Sequence, residues 1–186
     1  EQVLDAGDTW PADLLQALVD KSLVRFVSHE RSTGAPVKRF ELLVTVREYA
    51  AERLSERGSA GAELRHGAWF ARCGREALAG HDAAQSLAPE LANLSIACRR
   101  ALARGDGDCA RATLSAAWAV LEVRGPFVLG LSLAEAVVDQ FGADDGSALL
   151  VRAAATSALG RTSEALGWLR AALSASERGA DRELVG

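Results

Sequence analysis

Methionine is absent from this 186-residue chain, tyrosine occurs once, lysine twice and cysteine three times, and aromatic residues make up only 5% of the total. Each scarcity removes a class of protein. Cys73, Cys98 and Cys109 are odd in number and lie in apolar helical patterns, which reads as buried free thiols in a reducing cytoplasm rather than a disulfide or zinc framework. No apolar run approaches the ~20 residues needed to span a bilayer, so no membrane partner is expected and the location is read as cytoplasmic. Positive charge is not in surplus: the net charge is −4, and dividing the chain after Arg57 leaves 8 basic against 10 acidic residues before the cut and 13 against 15 after it. A nucleic-acid-binding module usually carries excess cations to neutralise phosphates, so composition argues against direct nucleic-acid binding. With no methionine, no secretion signal at either end, and a final Ala180 to Val185 that reads as the start of a further helix, the chain is expected to be a fragment of a longer protein.

What remains is a composition suited to packed helices. Hydrophobic residues make up 49% of the chain, which excludes wholesale disorder. The abundant alanine favours helices that approach closely through small side chains.

Along the chain, Trp10-Pro11-Ala12-Asp13 opens a helix with proline in its first turn, and Leu14, Leu15, Leu18, Val19 and Leu23 supply its apolar stripe. Ser22 to Ser28 then predicts a strand. Glu30 to Pro36 is a polar, turn-rich tip. Phe40, Leu42 and Val44 alternate with Glu41, Leu43 and Thr45, which predicts a second strand buried on at least one face. Thr45 and Glu48 have capping-box spacing and predict the start of a helix with Val46, Tyr49, Ala50 and Leu54 along its apolar stripe, ended by Gly58. Helix, strand, wing-like tip, strand and helix form the closing part of a winged-helix domain. Residues 1–57 are therefore assigned to a partial winged helix.

Residues 58–186 read as all α. Breaks fall near Gly80, Gly105 to Gly107, Arg124 to Pro126, Gly142 to Gly146, Gly160 and Gly179. Between them lie segments suited to helical hairpins. Ala153, Gly160, Ala165, Leu169, Ala172 and Leu173 match the small residues, turn glycine and second-helix seam of a tetratricopeptide-like repeat. Gly125 precedes Gly160 by 35 residues, and Trp118, Leu121, Ala134 and Val137 can take equivalent packing positions. Arg152 sits where an apolar residue is expected, so the repeats are degenerate. The fold class is thus mainly α: a partial winged helix followed by an array of helical hairpins.

No catalytic residue, cofactor-binding residue, cofactor or metal-ligand set is read from the chain. Arg31, Lys38 and Arg39 could place a basic wing against phosphates, but Asp13 and Asp20 outnumber Lys21 on the adjoining helix, and Gln16 is nearly alone there as a base-reading donor. His66 and Cys73 can share a helix face, yet zinc needs three or four protein ligands. His29 and the His81-Asp82 pair lack a recognisable nucleophile motif. Asn93 reads as an amide fixing a turn or helix contact, and Trp69, Phe70, Trp118, Phe127 and Trp168 as core anchors rather than a ligand cage.

The order of Leu18 to Val24, Phe40 to Ala50 and Glu90 to Ala97 resembles the region after the nucleotide-binding core of bacterial STAND regulators, the multidomain ATPases that include LuxR-type and AfsR-like transcriptional regulators. The resemblance spans roughly residues 12 to 178. It implies a non-enzymatic fragment whose partners are the ATPase core of its own parent and an unknown protein or small-molecule inducer at the repeats. Two alternatives are a winged-helix DNA-binding module and a plain protein-interaction scaffold. The phosphate loop Gly-x-x-x-x-Gly-Lys-Ser/Thr is absent, so ATP hydrolysis would belong to the parent. Some relatives carry a nucleotide-contacting histidine at the wing-to-helix junction; the aligned Leu43 cannot make that contact, and Val44 departs from the acidic residue expected beside it.

Overall fold

A computed structural model describes residues 10–29, 37–142 and 146–185. These residues are mainly helical, with one two-stranded antiparallel hairpin. The chain divides between Arg65 and His66 into two compact units.

In the first unit, α1 (Pro11–Asp20) begins on Pro11, whose fixed φ suits the first helical position. It closes at Ser22, which takes a left-handed φ of 56°. The Ser22 amide donates to the Val19 carbonyl and the Leu23 amide to the Leu18 carbonyl, the double bond pattern that satisfies a helix C-terminus. Strands β1 (Val24–His29) and β2 (Val37–Leu42) pair with Val24 opposite Leu42 and Phe26 opposite Phe40. Strand alternation puts these four residues on one face. The expectation of a buried face is met only at Val24: Phe26, Phe40 and Leu42 are exposed, the two phenyl rings meeting edge-on at 5.4 Å.

Helix α2 (Val44–Arg57) starts before the predicted capping box. The Arg47 amide donates to the Leu43 carbonyl, so Leu43 occupies the capping position and Thr45 lies inside the first turn. The ladder ends at the Val24–Leu42 pair, which leaves Val44 free to enter the helix instead of extending β2. Tyr49 and Leu54, predicted in a buried stripe, are exposed; the Tyr49 hydroxyl accepts from Arg53 Nε at 3.2 Å. Gly58 ends the helix with a left-handed φ, as expected. Helix α3 (Ala60–Leu78) follows and crosses the unit boundary.

The second unit continues with α4 (Ala83–Leu87), a 3-10 turn over Ala88–Glu90, α5 (Leu91–Arg104), α6 (Gly107–Arg124), α7 (Phe127–Phe141), α8 (Gly146–Ala158) and α9 (Thr162–Val185). Successive helices from α5 onward pack against one another, and α5 also meets α7 while α6 meets α8. The core runs through Leu94, Leu114, Leu121, Val137 and Leu149. Alanines at 97, 110, 116, 117, 134 and 148 are fully buried between them, which lets the helix axes come close. Buried Thr113 and Thr156 are satisfied locally, donating to the carbonyls of Cys109 at 2.6 Å and Arg152 at 2.7 Å.

The predicted glycine breaks fall at helix ends with one exception. Helix α9 runs through Gly179, and the segment 180–185 continues it rather than starting another helix. An isolated helical glycine costs only about 1 kcal/mol, which neighbouring turns outweigh. The predicted seam of α9 is also rotated. Ala165, Ala172 and Ala175 are buried, whereas Leu169 and Leu173 are 44% and 63% exposed and Leu166 lies on the same outer stripe. The inner side of α9 meets α8 at close range: a Cβ on Gly146 would come within 2.8 Å of Ser176 Oγ. Small residues fit there and leucines do not.

Candidate functional site

Of the residues that sequence reading singles out for nucleic acid, Arg39 is the one whose side chain is described. Arg31 lies outside the described residues. Lys38 pairs with Ser28 and Arg39 with Val27 in the ladder. Arg39 shares its face of the hairpin with Glu41, which holds Arg25 in an ion pair at 2.9 Å, so an acid stands among the cations.

The other candidates have structural partners. Asn93 Nδ2 donates to Glu90 Oε2 at 2.8 Å, joining the 3-10 turn to the start of α5. Phe70 and Trp118 are buried, and Trp69, Phe127 and Trp168 pack against the same core. The His66 ring lies 4.7 Å from that of Phe70. His81 and Asp82 are exposed between α3 and α4, and the side chain of His29 lies outside the described residues. Among the described residues no three His, Cys, Asp or Glu side chains form a group able to hold a metal ion.

All three cysteines are free. Burial pushes the Cys98 thiol up to about 11. It raises Cys109 as well, with the Asp106 carboxylate adding to the effect, and it raises the partly exposed Cys73. A raised thiol pKa suppresses the reactive thiolate at neutral pH.

Among the described residues of the second unit is an open cleft of about 700 Å³. Arg75 and Leu78 come to it from α3, Arg111, Ala112 and Ser115 from α6, Phe141 from the end of α7, Gly146 and Ser147 from α8, and Ala175 and Ser176 from α9. Its geometry starts from a missing side chain. A Cβ on Gly74 would lie 2.6 Å from the Ala116 Cβ and 3.5 Å from the Ala112 carbonyl oxygen, so α3 can cross α6 at this separation only with glycine there. The crossing sets Arg75 and Arg111, each next to the contact, on a common cleft.

Arg111 is further placed by two neighbours. Its guanidinium lies 5.7 Å from the centre of the Phe141 ring, and Nη2 donates to Asp108 Oδ1 at 2.7 Å. Asp108 is 94% exposed, so this pair is strongly screened by water. The cleft therefore combines two cationic forks, three serines and an apolar floor of Leu78, Ala112, Phe141 and Ala175, with no carboxylate among the described lining residues.

Sequence reading misses this cleft because its parts are spread over a hundred positions and each cation reads locally as part of a solvated helix face. The only local signal is Gly74 in the middle of a helical pattern, which marks close approach. No helix among the described residues is long and apolar enough to cross a membrane. Comparison with protein-family models, with curated proteins and with solved structures finds no match to the chain.

Proposed function

We propose that this chain is a non-catalytic regulatory and protein-interaction segment of a STAND-type transcriptional or signalling ATPase. Residues 1–57 are the end of a winged helix in this reading, and residues 58–186 form degenerate tetratricopeptide-like repeats that sense an inducer and couple it to the ATPase core of the parent. The observation that carries it is the pairwise stacking of α5 to α9, in which α5 also meets α7 and α6 also meets α8. Helical repeats stack in this way to create a continuous recognition surface, and the Arg75–Arg111 cleft is a concave part of such a surface.

The test is nucleotide hydrolysis by the parent protein with and without residues 66–186. The reading expects the hydrolysis rate or its response to inducer to change several-fold. An unchanged rate and response in a folded parent would sink it.

A plain interaction scaffold is the second reading, favoured by the exposed stripe of Leu166, Leu169 and Leu173 on α9. It expects partner capture to depend on the stripe while hydrolysis is unaffected. A DNA-binding role would instead show as salt-sensitive retention on duplex DNA that Arg39→Ala weakens.

A further inference from the structure

We draw no further inference here: the strongest candidate, the exposed apolar stripe of Leu166, Leu169 and Leu173 along the outer side of α9, carries nothing because nothing in the structure shows what covers it.

Discussion

The guanidinium carbon of Arg152 lies 3.7 Å from the centre of the Trp168 ring. Arg152 Nη2 also reaches Glu135 Oε1 at 3.5 Å, so one side chain on α8 touches both α7 and α9. An arginine at an expected apolar position is explained by this contact: its stem and planar head bury against indole, leaving the side chain only 15% exposed.

Arg152→Ala should therefore lower the free energy of urea unfolding by ~1–3 kcal/mol. Glu135→Ala should cost only about 0.5 kcal/mol, because that long, partly exposed ion pair is screened. Trp168→Phe should cost less than Arg152→Ala, since it removes a buried indole N–H that makes no hydrogen bond. Equal losses for Glu135→Ala and Arg152→Ala would mean that the ion pair, not the stacking, holds the helices.

Glycines at close approaches should respond in the opposite sense to a glycine in open space. A Cβ on Gly74 or Gly130 would meet Ala116 Cβ or the Trp118 ring at 2.6 Å, so alanine at either position should destabilise by ~1–3 kcal/mol. Gly167 lies in the interior of α9 with nothing near its absent Cβ, and Gly167→Ala should stabilise by ~0.5–1 kcal/mol. Thermal melts of the three variants would decide the matter.

The outer leucines of α9 should be dispensable for folding. Leu169→Ser and Leu173→Ser are each expected to change stability by less than about 1 kcal/mol. Ala172→Leu forces three further carbon atoms into the buried side and should cost ~1–3 kcal/mol. A large loss at Leu173 and none at Ala172 would restore the predicted seam.

Cys98 supplies a pH dependence. Its folded pKa, pushed by burial from 9.0 to about 11, exceeds the unfolded value, so the unfolded chain releases the proton first. The contribution of the neutral thiol to stability is complete below pH 9 and is lost as pH rises from there through about 11. Cys98→Ala should flatten that alkaline slope in denaturation midpoints taken from pH 8 to 11. At pH 8, alkylation should modify Cys73 before the buried Cys98 and Cys109.

Hydrogen exchange should separate the two units. In the first, Val24 is the buried apolar residue among those described, whereas α6 alone buries Leu114, Ala117, Val120 and Leu121. Amides of β1 and β2 should exchange orders of magnitude faster than those of α6. Comparable protection would show that the hairpin is far more stable than its burial implies.

Local chemistry by itself determined the elements. Apolar spacing placed the helices, Pro11 marked the start of the first, and Gly58, Gly105 and Gly160 marked helix ends because each adopts a left-handed φ, whereas the expected tip from Glu30 to Pro36 lies outside the described residues. These signals act within a few residues, so a linear reading reaches them. Tertiary structure decided which apolar faces are covered and which distant cations meet. Tyr49, Leu54, Leu169 and Leu173 have helical spacing yet remain exposed, because periodicity says that a face is apolar without saying what packs on it. Arg75 and Arg111 lie 36 positions apart and meet at one cleft because Gly74 lets two backbones approach, a condition of contact between helices that no single stretch of sequence contains.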